Sequence, residues 1–593
     1  MNYALNKAST NPTEPQGPTK AGLKKLLPLL KEDHLKMIVA VLAILVNSAI
    51  TLSGPFFVAY AIDHYVVSRN YEGVMMMSGV LIGLYLIGFV TGYIQTAMMG
   101  GVAQRMLFNL RNTIFTKLQS LPLAFFNQNK AGDLISRINN DTDKLNQFFS
   151  QGLVQFVSNL FMIVGAGIFL LSIHFKLGLA ILAPAVSLLF FTRITAAWIR
   201  RKNAQSLQAG GGMSAEIQES LDNFKVIVAF NRRDYFREKF KETNESNFKK
   251  ATSAGYANTI FIPVYGLCSN MAQLITLAYG IHLIAAGDFT VGLLISAFLY
   301  TTRFYDPLRH MAALWGSFQL AMATWDRISA ILEMKSNLIQ LPEGKERSKA
   351  DKKAPPLLAF HKVHFSYPDG KEVLHDLTFE LEAGKTYALV GPTGGGKTTT
   401  ASLMARLYDP TKGKVFLQGQ DIRAVESSVR SEKIGFILQD PFLFSGNVRE
   451  NLCYGNDELA ALSSEALDTE LKRFKLDALV SRFEKGLETP VKGSGDTMSL
   501  GQRQLIAFMR AVLRNPELLI LDEATANIDT VTEQLLEKIL KHLPKETTRV
   551  IIAHRLNTIE NADEIFFING GTLTRAGSLE HAVDLLLKGK RES

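Results

Sequence analysis

Residues 391–399, "GPTGGGKTT", fit G-x-x-x-x-G-K-[ST], a spacing that lets a loop wrap a row of phosphates. Gly391, Gly394, Gly395 and Gly396 free the backbone to curl its N–H groups toward one point, with Pro392 and Thr393 between them. Lys397 adds a point charge, the Thr398 hydroxyl can reach Mg²⁺, and Thr399 continues into a helix whose N-terminal dipole favours anions. The stretch before the loop, "TYALV", reads as a strand and the one after it, "ASLMARLY", as an apolar-periodic helix. That context turns the match into a prediction of nucleotide binding.

A second set of polar residues falls at the ends of apolar runs. "LLILDE" (518–523) is continuous enough for a strand buried on both faces. It ends in Asp522, suited to a Mg²⁺ shell, and Glu523, suited to polarising an attacking water. "IGFIL" leads to Gln439 and "VIIA" to His554. Each alone could be a cap, but together they sit at the carboxyl ends of strands, where open α/β sheets bind ligands. Tyr367 in "FSYPDG" is an aromatic that can stack on a base. "TMSLGQRQ" (497–504) contains a capping box, Ser499-x-x-Gln502, before an apolar stripe at 505, 506, 508, 509, 512 and 513. Its helix start exposes N–H groups to an anion. Gly501 is small, as a phosphate contact wants, and Leu500 beside it is not.

The elements that must carry these residues divide the chain unevenly. It has 593 residues and a net charge of +9, with 47 % hydrophobic residues, and its mean hydropathy is +0.09. Nearly all long apolar runs precede residue 325. Six of them, near 36–62, 74–100, 150–173, 177–199, 258–286 and 290–318, are long enough to cross a bilayer core of about 30 Å as helices. Lys20, Lys24, Lys25, Arg105, Arg111, Lys117, Arg200, Arg201 and Lys202 fill the arm and long loops on one side, whereas 66–73, 174–176 and 286–289 are poor in basic residues. The positive-inside rule then predicts cytosolic termini and two long cytosolic loops. Within those loops, 121–141 and 214–230 read as short cross-helices for docking a soluble domain. Arg303 and Asp306, three apart in the sixth run, either line a wet cavity or pair with each other. Phe56, Phe57, Phe298 and Phe304 can touch an apolar substrate or simply pack.

The expected domains are a cytosolic arm (1–34), a six-helix membrane domain (35–325), a linker (326–356) containing the charged, Pro-ended "EGKERSKADKKAPP", and an α/β phosphate-loop domain (357–593). Cys268 and Cys453 lie far apart, so no disulfide framework is implied. No secretory signal or protease-like domain is read before the first helix. Positive charge flanking membrane runs argues against nucleic acid as a partner.

Taken together, these residues resemble an ATP-binding cassette half-transporter of the bacterial exporter type. In that resemblance Tyr367 matches the adenine-stacking loop, 391–399 the Walker A loop, Gln439 the Q-loop, 498–502 the signature and 518–523 the Walker B strand with its catalytic Glu523. Asp529 matches the D-loop and His554 the switch histidine. The resemblance implies a head-to-tail dimer in which each ATP and its Mg²⁺ (held by Thr398, Gln439 and Asp522) lie between one subunit's Walker residues and the other's Ser499, Gly501 and Gln502. Lys397, Glu523 and His554 are the expected catalytic residues. Two departures stand out. The signature, usually LSGGQ, is Met498-Ser499-Leu500-Gly501-Gln502, and "TPVKGSG" places Lys492 and Gly493 where Gly and Glu are common. An altered signature beside intact Walker residues is similar to the catalytic-glutamate subunit of heterodimeric exporters. The expectation is therefore an exporter of drugs or lipids in the bacterial inner membrane, as a heterodimer in preference to a homodimeric lipid, drug or peptide exporter.

Overall fold

A computed structural model of the chain describes residues 3–5, 33–338, 340–342, 355–368, 370–439, 441–492, 498–522, 530–552 and 562–589. The described residues group into two compact units. One takes those of Met1–Thr10, Leu118–Asp133 and Met334–Ser593, the other those of Asn11–Lys117 and Leu134–Glu333.

The second unit is helical. Its long helices are α1 (His34–Ala61), α2 (Tyr71–Gln119), α6 (Leu153–Ile173), α7 (Phe175–Asp222), α9 (Arg233–Thr259), α10 (Phe261–Ala285) and α11 (Val291–Leu332). In their apolar stretches the backbone has no partner but itself, whereas α9 is charged along most of its length. Between α2 and α6 in sequence lie the short helices α3 (Leu123–Gln128), which belongs to the first unit, α4 (Ala131–Ser136) and α5 (Thr142–Gln147), and α8 (Phe224–Ala229) joins α7 to α9. At about 1.5 Å per residue the 49-residue α2 and the 48-residue α7 each run some 70 Å, more than twice a bilayer core. Both therefore continue far outside the membrane, as the long loops required. Wide π-helical turns interrupt the path at Ile62–Val66, Arg137–Asp141 and Phe148–Gly152.

Among the described residues, five helical stretches are long and apolar enough to span a membrane: His34–Val66, Tyr71–Gln119, Ala131–Ile173, Phe175–Asp222 and Arg233–Ala285. The sequence count was six. The sixth run forms the 42-residue α11, whose polar middle holds Arg303, Asp306, Arg309 and His310. Arg303 and Asp306 are both exposed and make no ion pair with each other. The helical core instead tightens around buried tyrosines. The Tyr300 hydroxyl donates to the Leu52 carbonyl at 2.6 Å, and that of Tyr305 to the Ile181 carbonyl at 2.8 Å. Ionic contacts to the buried Asp141 fix the end of the 121–141 stretch: Asp141 faces Lys144 at 3.4 Å and Arg327 at 3.1 Å, while Arg137 donates to the Arg327 carbonyl.

In the first unit the described residues form three sheets. β1 (Leu358–Ser366), β2 (Glu372–Leu381), β4 (Lys412–Leu417) and β5 (Gln420–Asp421) form an antiparallel sheet in the order β2-β1-β4-β5. β3 (Thr386–Val390), β6 (Ile434–Ile437), β9 (Leu518–Asp522), β10 (Thr548–Ile552), β11 (Glu564–Asn569) and β12 (Thr572–Arg575) form the second, ordered β12-β11-β3-β10-β9-β6. It is parallel from β11 to β6, with β12 as the antiparallel edge. β3 and β9 are buried at every position, which is why both read as unbroken apolar runs. β7 (Gly446–Asn447) and β8 (Pro490–Val491) make a small ribbon. The helices that concern the site are α12 (Lys397–Met404), α13 (Val448–Cys453), α14 (Leu500–Leu513) and α15 (Thr530–His542). Cys268 and Cys453 are free and buried.

Candidate functional site

The phosphate loop emerges from β3, where Val390 is paired to β11 through Phe567. Gly391 then takes φ +150°, and a Cβ there would meet the Ile568 carbonyl oxygen at 2.0 Å, so only glycine fits. Gly396 turns the chain into α12 at φ +113°, against the Leu374 side chain. Lys397, almost wholly buried, aims its ammonium back across the loop and donates to the carbonyls of Gly391 (2.9 Å) and Pro392 (3.0 Å). Its charge is thus held over the hollow that the glycines make.

β9 lies two strands away from β3 in the sheet, across β10. Its last residue, Asp522, is 2 % exposed and stands 3.5 Å from the Thr398 hydroxyl. Two hard oxygen donors that lie 124 residues apart are thereby brought together at the start of α12, a donor set of the kind Mg²⁺ takes. Gln439 follows β6 by two residues and is exposed. Glu523, Asp529 and His554 lie outside the described residues. The strands that lead to Glu523 and His554, β9 and β10, are paired in parallel with Asp522 opposite Ile552.

Tyr367 reaches the loop through its hydroxyl, 3.1 Å from that of Thr399. Its ring meets Phe365 and Tyr408 edge-on, with centroids 4.9 and 5.4 Å away. Tyr408 was not singled out by sequence reasoning. It ends the "ASLMARLY" stretch, and its hydroxyl accepts a 2.7 Å hydrogen bond from the Asn127 side chain at the tip of α3. Burial pushes the Tyr408 phenol above its usual pKa, so it stays protonated. Tyr3 reinforces the same tip. Nearly fully buried, it donates its N–H to Gln128, accepts from the Asn129 side chain at its carbonyl, and accepts the Asn337 N–H at its hydroxyl. Asn129 also accepts the Leu5 N–H. A path of side chains thus leads from the phosphate-loop helix to the first cross-helix.

The capping box forms as expected. Ser499 takes φ −63° and ψ 155°, its Oγ accepts the Gln502 N–H at 3.2 Å, and Gln502 accepts the Ser499 N–H at 3.0 Å. Leu505, Ile506, Phe508, Met509, Val512 and Leu513 are all buried beneath it. Leu500 is the first helical residue and only half-buried. Farther along α14, Arg510 donates to the Asn451 carbonyl (2.7 Å) and side chain (3.0 Å) on α13 and lies over the Tyr454 ring. It borders a groove of about 280 Å³ walled by Leu438, Pro441, Phe442 and Phe444, just beyond Gln439. Nothing local in the sequence marks Arg510, because its partners are some 60 residues away.

In the helical unit, Phe56 lines a cavity of about 520 Å³ with Tyr60, Asp63, His64, Phe169 and Tyr300. Asp63 caps the start of α11, accepting from the Thr290 hydroxyl and the Gly292 N–H. Phe57, Phe298 and Phe304 do not line that cavity.

Residues 37–308 match the family of ABC transporter transmembrane regions, and 374–526 match the ABC transporter family, whose members carry the phosphate-loop ATPase. An uncharacterized ABC transporter ATP-binding protein of Bacillus subtilis is 32 % identical over 577 residues, which cover 95 % of this chain and 92 % of that protein. The chain belongs to the ATP-binding cassette transporters. A multidrug resistance ABC transporter ATP-binding and permease protein of Lactococcus lactis is 30 % identical over 559 residues, covering 93 % of this chain and 92 % of that protein. A fatty acid ABC transporter ATP-binding/permease protein of Mycobacterium tuberculosis is 30 % identical over 511 residues, covering 86 % and 79 %. Like these bacterial half-transporters, this ABC chain couples ATP hydrolysis by its α/β domain to transport through its helical membrane region.

Proposed function

We propose that this chain is the catalytic-glutamate half of a heterodimeric exporter of amphipathic or apolar compounds, such as drugs or lipids. Its place is the bacterial inner membrane, with both termini cytosolic and α11 as the sixth span. The multidrug and fatty acid names of its relatives support the substrate class. So does the aromatic cavity around Phe56, which combines apolar walls with the polar Asp63 and His64.

In this reading Lys397 and the loop N–H groups bind the ATP phosphates, and Tyr367 receives the base. Thr398, Asp522 and Gln439 would hold Mg²⁺, which would supply positive charge beside the transferred phosphoryl group. Glu523 positions and polarises the attacking water, His554 steadies the leaving side, and Asp529 spans the dimer seam. The partner supplies the signature for this site. Ser499, Gly501 and Gln502 present the α14 N-terminus to the partner's nucleotide, where Leu500 adds branched bulk. That second site holds ATP and hydrolyses it slowly. α8, with Phe224, Val226 and Val228 exposed, docks on the partner's nucleotide domain.

The observation that carries the heterodimer is Leu500 at the first helical position of an intact cap, beside a complete phosphate loop. The test is ATPase activity of the purified chain in proteoliposomes, alone and with the product of a neighbouring half-transporter gene. Substrate-stimulated turnover is expected only with the partner. Vigorous turnover by the chain alone, lost in Glu523→Gln, sinks the heterodimer reading in favour of the homodimer.

A further inference from the structure

The turn that follows the phosphate-loop helix α12 sends out two ties. Arg406 donates to the Gln340 side chain at 3.0 Å, and Gln340 donates in turn to the Val425 carbonyl at 3.1 Å. The Leu341 N–H donates to the Arg423 carbonyl at 2.9 Å. These bonds seat the chain that leaves α11 on the nucleotide domain. Just after Arg406 comes Tyr408, which holds Asn127 of α3. Among the places where the chain passes between the two compact units are Lys117 to Leu118, Asp133 to Leu134 and Glu333 to Met334. α3 lies between the first two of these passages, and Asn337 follows closely on the third.

α3 is not built to hold itself. Its six residues are too few for a helix that stands alone in water. Pro122 offers it no side-chain cap at the start, and Asn129 leaves it in extended conformation. The end is finished by residues from elsewhere in the chain. The Asn129 amide donates to the Phe125 carbonyl at 2.8 Å and to the Tyr3 carbonyl at 2.9 Å, while its oxygen accepts the Leu5 N–H at 3.0 Å. Both amide hydrogens and the oxygen are engaged, which fixes the orientation of the cap. Gln128 accepts the Tyr3 N–H at 2.6 Å. The Tyr3 hydroxyl, on a side chain only 1 % exposed, then accepts the Asn337 N–H at 2.8 Å. A closed circuit results. It runs from the turn after α12 through Gln340 and Asn337 to Tyr3, and returns through α3 and Tyr408. The nucleotide site borders it, since Tyr367 touches both Thr399 and Tyr408.

We propose that Tyr3 is a positioning residue for coupled transport: it closes this circuit, so that α3 and the chain leaving α11 answer a nucleotide at the phosphate loop together. Without the Tyr3 link the chain after α11 stays seated through Gln340 and Leu341, whereas α3 loses its tie to that chain and lags behind. The proposal rests on this chain's own nucleotide domain, not on the partner subunit or the exported compound.

The test is backbone hydrogen–deuterium exchange of the full-length chain in nanodiscs, with and without saturating Mg²⁺ and a non-hydrolysable imido analogue of ATP. In the parent chain the analogue is expected to slow exchange at 123–129 and 334–338 together. Tyr3→Phe removes only the link to Asn337. There the slowing at 123–129 is expected to shrink about fivefold, the usual worth of one hydrogen bond, while that in α12 and at 334–338 persists. Tyr3→Ala removes the ring as well and is expected to abolish the response of 123–129. The analogue's affinity should match the parent's in both variants. Slowing in α12 reports binding by itself, so a failed nucleotide site is told apart from a failed link. Should Tyr3→Ala not fold, Tyr3→Phe decides alone. A parent-like response at 123–129 in Tyr3→Phe overturns the proposal, and so does a parent chain in which 123–129 ignores the analogue. Faster exchange in β3, α12 and 123–129 alike marks Tyr3 as a plain stability contact and overturns it too.

Discussion

At the residue scale, the site depends on side chains whose charge is held by backbone. Lys397 is fixed over the loop by two carbonyls, and Thr398 sits 3.5 Å from Asp522. Replacing Glu523 by Gln removes the group expected to polarise water without changing its size. ATP hydrolysis by the assembled transporter should fall about 10²–10⁴-fold, the usual worth of a general base, while ATP still binds with native affinity in an equilibrium titration. Leu500→Gly is the informative change at the signature. In the heterodimer it should quicken hydrolysis at the partner's nucleotide and leave the Glu523 site alone, as read by single-site trapping. Ser499→Ala should cost about 1 kcal/mol of helix stability through loss of the cap, measured as a lower unfolding midpoint. Lys397, Thr398, Asp522 and Ser499 were legible in the sequence because their chemistry is written in local spacing. Tyr408 and Arg510 were not. Tyr408 meets Asn127 across 281 residues, and no period or motif encodes so distant a neighbour.

At the element scale, the cross-helices were legible as amphipathic stretches but not in their extent. The loop reading covered 121–141, whereas the helix that meets the nucleotide domain is the six-residue α3. The rest of that loop is a chain of short helices and π-helical turns, set by the buried Asp141 rather than by periodicity. The sheet was more transparent, since β3, β6, β9 and β10 are apolar runs that end in polar residues. The sixth run was less so, since Arg303 and Asp306 dilute α11, which is not among the five stretches apolar enough to span a membrane. Asn129 accepts from Leu5 and donates to Tyr3 and Phe125, so Asn129→Ala should loosen α3. Hydrogen–deuterium exchange of 123–129 is expected to quicken while that of β3 stays unchanged. Asp141→Ala should destabilise the helical unit by about 2–3 kcal/mol. That lies below the roughly 3–5 kcal/mol of a fully buried ion pair, because Lys144 and Arg327 both keep access to water.

At the scale of the whole molecule, an ABC half-transporter must relate events at its nucleotide to events in its membrane helices. Part of that relation lies inside one compact unit, where Thr399, Tyr367, Tyr408 and Asn127 touch in sequence. The other part, the α14 cap with Leu500, faces outward to a second subunit in the reading proposed above. In that reading the two parts differ in what they must match: the relay's members all belong to one gene, whereas the seam has to fit a surface encoded by another. A change of companion would then call for new contacts at the seam and leave the internal wiring as it is.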